Sequence, residues 1–124
     1  MEPVTKLAWL ALAAIHAAPA AVLVAPSLAR RLYGVAPADG AGVLIVHRGA
    51  LFLALVVLSV WAALDPALRR AAGTALAISV VGFLLVYARA GAPAGPLRPV
   101  ALADIAALAP LAWVLWRAWK GGGP

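Results

Sequence analysis

Cysteine is absent from this 124-residue chain. That excludes disulfides, thiolate metal sites and thiol redox chemistry. Acids are scarce too: Asp and Glu number four against ten Lys and Arg. Four scattered acids and two histidines do not compose a closed metal site, so no metal or other cofactor is expected. Charged residues make up only 11% of the chain, where a soluble domain carries roughly 25%. So little polar surface cannot cover a water-facing exterior, and lipid must be much of the solvent. Also missing are a P-loop, a Rossmann glycine pattern after a strand, and a Ser/His/acid triad in recognisable context.

What the chain has is apolar length. Hydrophobic residues reach 66% and the mean hydropathy is +1.03. Four runs dominate, and they predict helices over about 5–27, 42–64, 70–89 and 99–119 within a single domain, 1–124. Crossing a bilayer takes about 20 apolar residues. The first run contains Ala18-Pro19-Ala20, which resembles a signal-peptide cleavage site. The run continues through Val22-Leu23-Val24, so a retained helix is expected, kinked where Pro19 frees the carbonyl of Ile15. Pro110 predicts a second kink. Between the first two runs lies a polar link with Asp39 as the expected N-cap of the next helix. The short Asp65–Arg70 link makes the second and third helices antiparallel neighbours. On the third, Ala75, Ser79, Gly82 and Val86 share a face suited to close helix approach.

The expected fold is therefore all-α: an integral membrane four-helix bundle running up-down-up-down, with both termini at one end, here called side A. All five Trp residues (Trp9, Trp61, Trp113, Trp116 and Trp119) fall towards side A, and Tyr33 and Tyr87 fall towards side B. Trp favours the headgroup level, so this agreement supports the four-span reading. The net charge of +6 sits mostly at the ends of apolar runs, as membrane anchors do, and nucleic acid is not an expected partner. Side A carries Lys6, Arg69, Arg70, Arg117 and Lys120, and side B carries Arg30, Arg31, Arg89 and Arg98. By the positive-inside rule both termini are expected in the cytoplasm.

The second run, Val43–Leu64, carries His47 and Arg48. A charge inside a membrane span costs at least about 2.5–3.5 kcal/mol and usually pairs within the bundle. Counted along these helices, Arg48 is about 7 Å below the side-B edge and Asp104 is at nearly the same depth. An Arg48–Asp104 contact is expected, with His47 finding a polar partner beside it. Arg48 snorkelling to headgroups is the plainer alternative. His16 lies deeper than His47 by about 9 Å, which argues against one haem shared by the two. Ser59 lies on the Arg48 face and Ser79 on the third helix; a helix–helix hydrogen bond or a bond to their own helix carbonyls is the plain reading of both.

The stretch LIVHRGALFLAL (44–55), the DPALRR link, Ser79 in SVVGFLL and the RPVALADIAAL opening of the last helix resemble a group of small four-helix bacterial membrane proteins. The group is loosely DoxX-like and largely uncharacterised, and its signature maps onto His47, Arg48 and Asp104. The resemblance implies a bacterial inner membrane and, through DoxX, a quinone-linked redox role. Some members are labelled phosphopantetheine adenylyltransferase. That enzyme resembles a Rossmann-like nucleotidyltransferase and needs a His-x-Gly-His motif, whereas this chain has only His16 and His47 and no βα pattern.

The expected function is a non-catalytic membrane protein with a polar site of His47, Arg48 and Asp104, joined by His16, Ser59 or Ser79. The site is either a structural latch or a pocket for a lipid or quinone headgroup. Membrane lipid, a membrane protein partner or a second copy are the expected partners, and an accessory subunit is the expected role. The alternatives are a small proton-coupled transporter using Asp104 and a DoxX-like redox component. Cysteines introduced at Ser27 and at Gly121 are expected to react with impermeant thiol reagents from opposite sides, Gly121 from the cytoplasm. Labelling of both from one side would contradict an even number of spans.

Overall fold

A computed structural model describes residues 2–120, so Gly121 and the rest of the glycine-rich tail lie outside the described residues. Four long helices carry the architecture: α1 (Glu2–Val24), α3 (Gly40–Leu64), α4 (Arg69–Arg89) and α5 (Leu97–Lys120). Each is long and apolar enough to cross a membrane, the build of a multi-pass membrane protein. A short helix, α2 (Leu28–Tyr33), lies in the link between α1 and α3. The polar sequence of that link had predicted only turns. Pro66–Leu68 forms a 3₁₀ turn leading directly into α4. Its start is held by the Asp65 carboxylate, which accepts from the Ala67 amide at 3.0 Å.

The four long helices close into a ring. α1 packs most extensively on α3, α4 on α5, and α5 back on α1, while α3 and α4 touch lightly. α3 and α5 are therefore diagonal across the bundle. The core between them holds Trp9, Leu12, Leu76, Val80, Leu111 and Val114. α1 contributes Thr5, Trp9, Leu12, His16 and Ala20, three or four residues apart, the spacing of one helix face. On α4 the inward face is Ala72, Gly73, Leu76 and Val80. The small-residue face read from sequence points elsewhere: Val86 is exposed, and nothing lies within 4 Å of where a side chain on Gly82 would begin.

The closest backbone approach of the two best-packed helices is at Gly49. A Cβ there would stand 2.8 Å from the Leu23 amide nitrogen and 3.2 Å from the Pro19 carbonyl oxygen. α1 and α3 thus meet backbone to backbone just past Pro19. Both prolines, Pro19 and Pro110, lie inside continuous helices.

Side A is fastened by arginines. Arg69 donates from Nε to the Ala62 carbonyl at 2.7 Å and from Nη2 to the Ala63 carbonyl at 3.0 Å. Both carbonyls belong to the last turn of α3, which has no intrahelical donors left for them. The same guanidinium meets both Glu2 carboxylate oxygens, at 2.7 and 3.2 Å. One side chain so joins α1, α3 and α4. Arg70 donates to the Ala118 carbonyl of α5 at 3.0 Å and lies 4.8 Å from the centre of the Trp119 ring. Trp113 donates to the Thr5 hydroxyl at 3.2 Å. Trp61, Trp116 and Trp119 are exposed at this end as a headgroup belt requires. Trp9 is not part of that belt: it is fully buried in the core.

Four variants test this packing in detergent-micelle unfolding. Gly49→Ala should cost about 1–3 kcal/mol, the usual penalty of overpacking. Gly82→Ala should be neutral or stabilise by up to about 1 kcal/mol through helix propensity. Arg69→Ala should cost about 2 kcal/mol or more, on the scale of hydrogen bonds to a charged group. Glu2→Gln should cost less, because Glu2 is half exposed and Arg69 keeps its carbonyls.

Candidate functional site

Side B is built differently. Helix ends fix the depth of each polar residue. His16 lies eight residues before the end of α1 at Val24, Arg48 eight after the start of α3 at Gly40, and Asp104 seven after the start of α5 at Leu97. At 1.5 Å per residue all three are about 10–12 Å in from side B. The depth separation expected for His16 disappears, because α1 ends earlier and α3 starts earlier than their apolar runs suggest.

His16 is buried, with 1% of its surface exposed. Its Nδ1 donates to the Leu12 carbonyl one turn back, at 2.8 Å. Its Nε2 is buried and has no hydrogen-bond partner. The Phe52 ring of α3 lies against it, centroids 5.6 Å apart. Asp104 is buried as well, with no ion-pair or hydrogen-bond partner for its carboxylate among the described residues. It is within electrostatic reach of His16 and Arg48.

Tyr33 closes the end of α2. Gly34 follows it in the left-handed conformation, φ 70°, and its amide caps α2 on the Ala29 and Arg30 carbonyls. The chain can reverse there because glycine has no Cβ to clash. α2 folds back so that Ala29 and Tyr33 pack on Val22 with Ile45, Val46 and Val100 around them. Burial pushes the Tyr33 phenol above its ordinary value of 10.0; the Arg48 charge opposes that shift and Asp104 adds to it.

These groups surround a cavity of about 340 Å³ between α1, α2 and α5. Its polar lining is His16, Asp104, Tyr33 and, at the rim, Arg31; Ile15, Pro19, Phe52, Val100 and Ala103 supply much of the rest. Among the described residues no three His, Cys, Asp or Glu side chains gather as metal ligands do.

The expected Arg48–Asp104 latch does not form. The ion pair found among the described residues is Arg69–Glu2. The reason is the ring order: α3 and α5 are diagonal, and the two side chains meet different neighbours. Arg48 sits instead among aromatic faces, 4.7 Å from the centre of Phe52, 5.5 Å from Tyr33 and 5.8 Å from Phe83. These rings satisfy the cation through their quadrupoles. One nitrogen, Nη2, is buried without a hydrogen-bond partner. Nor does Arg48 snorkel to the surface.

His47, one residue earlier and about 100° around the helix, is exposed on the outer face of α3. The polar partner expected for it beside Arg48 and Asp104 is not there. Ser59 is buried and donates to the Leu55 carbonyl at 2.8 Å, a bond within its own helix. Ser79 lines a smaller cavity of about 170 Å³ between α3 and α4, with Arg48, Phe52 and Phe83. Of the residues singled out from sequence, the main cavity gathers His16 and Asp104. Tyr33, Arg31 and Phe52 were passed over as site residues. One usable signal was the i, i+4 spacing of Arg48 and Phe52, which puts both on one face.

No protein-family model, curated protein or solved structure matches the chain. Fold and cavity together define a four-helix membrane bundle with a polar recess at one end.

The raised Tyr33 phenol has a pH consequence. The folded state holds this proton more tightly than the unfolded chain, so its contribution is complete below the ordinary tyrosine range and is lost as pH rises above about 10. Unfolding titrations across that range should show wild type losing stability with pH more steeply than Tyr33→Phe. Identical slopes would mean that the phenol ionises as freely as in the unfolded chain.

Proposed function

We propose that this chain is a small, non-catalytic protein of a bacterial cell membrane that holds the polar headgroup of a membrane amphiphile, a lipid or a quinone, in the side-B cavity. The observation that carries the reading is His16 Nε2, buried without a partner against a cavity that the largely buried Asp104 also lines. Leaving a buried polar atom unsatisfied costs about 1–3 kcal/mol, so groups in that state against a cavity call for an occupant. The volume of about 340 Å³ is within the range of ligand sites, and an apolar wall with a few polar groups is their usual lining. The recess lies about 10–12 Å in from side B, and exposed Ala18 beside half-buried Ala103 leaves a low-relief path for an apolar tail. The resemblance to DoxX-like proteins favours a quinone among such ligands and an accessory place in a larger membrane assembly. The partner there, another membrane protein or a second copy, would meet the exposed outer faces of the bundle.

A second reading gains from the same geometry. Arg48 does not neutralise Asp104, and a buried carboxylate free of an ion pair is what a proton-coupled transporter uses as its carrier. A proton-driven flux abolished by Asp104→Asn would favour transport over headgroup binding. As for orientation, Arg69 is consumed by Glu2 and two carbonyls. Without it, Lys6, Arg70, Arg117 and Lys120 on side A only equal Arg30, Arg31, Arg89 and Arg98 on side B, so the positive-inside count for cytoplasmic termini depends on Arg69.

Protein extracted gently from its membrane should carry a lipophilic amphiphile visible by native mass spectrometry. Ala103→Trp, which fills the cavity from α5, should carry at least about tenfold less, equivalent to about 1.4 kcal/mol of lost binding. Equal occupancy in both would remove the cavity as the binding site.

A further inference from the structure

We infer that the occupant of the side-B cavity presents a hydroxyl donor to His16, so that the pocket selects hydroxyl-bearing headgroups over those whose oxygens only accept. This rests on the reading that the cavity holds an amphiphile's headgroup, and it assigns that headgroup its chemistry.

The argument starts from one hydrogen bond. A backbone carbonyl can only accept, so the 2.8 Å contact between His16 Nδ1 and the Leu12 oxygen requires the proton on Nδ1. In the neutral ring Nε2 then carries a lone pair and is an acceptor. Nε2 is the buried atom left without a partner. Asp104, which lines the same cavity and has no hydrogen-bond partner among the described residues, also only accepts when ionised, while the unpartnered Arg48 Nη2 at this depth belongs to the separate cavity between α3 and α4. The deep part of the cavity is therefore acceptor-lined. The donor-only side chain of the lining, Arg31, is exposed at the rim.

A ligand whose deep oxygens are carbonyls, ethers or phosphate esters would set lone pair against lone pair there, so of a quinone and its reduced quinol it is the quinol that fits. An anionic group would in addition meet Asp104. A quaternary ammonium has no N–H to give Nε2, and it would pass Arg31 at the rim. A neutral hydroxyl satisfies His16 without those penalties, and Tyr33, which both donates and accepts, can bond its oxygen. The hydroxyl can belong to an aromatic ring or to a glycerol-type backbone; the donor is the shared chemistry.

The test uses the full chain in detergent, with isotope-labelled histidine, and three probes: para-hexylphenol, para-hexylanisole and octylglycerol. The first two differ in one methyl on the oxygen. Nitrogen NMR of the free protein should show His16 neutral with the proton on Nδ1. Para-hexylphenol should shift the Nε2 resonance in the direction of an accepted hydrogen bond and bind roughly tenfold more tightly than para-hexylanisole, the scale of one neutral hydrogen bond. Ala103→Trp, which keeps His16, should abolish the shift. Octylglycerol moving Nε2 as well would extend support to glycerol-type hydroxyls, and its failure beside a binding phenol would restrict the site to aromatic ones. Equal binding of phenol and anisole, an imidazolium in the free protein, or binding of none of the probes overturns the inference. The native-mass comparison with Ala103→Trp judges the cavity reading separately: an amphiphile lost from that variant upholds the cavity even when the donor assignment fails.

Discussion

The backbones of α1 and α3 touch at Gly49, and the polar end of the bundle is arranged around that contact. With no side chain between them, α3 comes close enough for Phe52 to lie on His16. Phe52 in turn takes Arg48 on the same helix face. The guanidinium is thereby directed to aromatic faces rather than across the bundle, and Asp104 is left without it. A larger residue at position 49 would change more than one packing contact, because the surroundings of half-buried Arg48 and buried Asp104 follow from that helix separation.

The two ends of the molecule solve the same problem in opposite ways. Each collects ionisable side chains in a protein with few of them. On side A the guanidiniums of Arg69 and Arg70 take up the open carbonyls of α3 and α5, and Glu2 completes the shell. Such charge-assisted bonds are strong because the donor carries a full charge. On side B the polar atoms face a cavity instead. Burying them without partners works against stability, and proteins keep that arrangement where an occupant supplies what is missing. The contrast within one small chain sets polarity spent on joining helices at side A beside polarity turned to a cavity at side B.

The four helices were legible in the sequence because apolar runs of spanning length leave little choice in lipid. The arrangement of the site was less so, for two reasons. Depth depends on where helices end, and the runs misplace those ends: α1 stops at Val24 and α3 begins at Gly40. A few residues at each end, at 1.5 Å apiece, were enough to separate His16 from Arg48 on paper although they lie level. Direction around the axis was the second. Periodicity is weak when nearly every residue is apolar, so it could not tell that His16 faces inward and His47 outward. Neighbour order is not written locally at all, and the diagonal placement of α3 and α5 is what undoes the Arg48–Asp104 pair. Ser59 needed no tertiary information, since its bond is to its own helix.

Among the described residues, every side-chain hydrogen bond and ion pair joining one long helix to another lies at side A. Away from that end the long helices are held to one another by packing and ring contacts alone. The recess at His16 and Asp104 lies in that half, so parting α1 from α5 there would break no side-chain hydrogen bond between them.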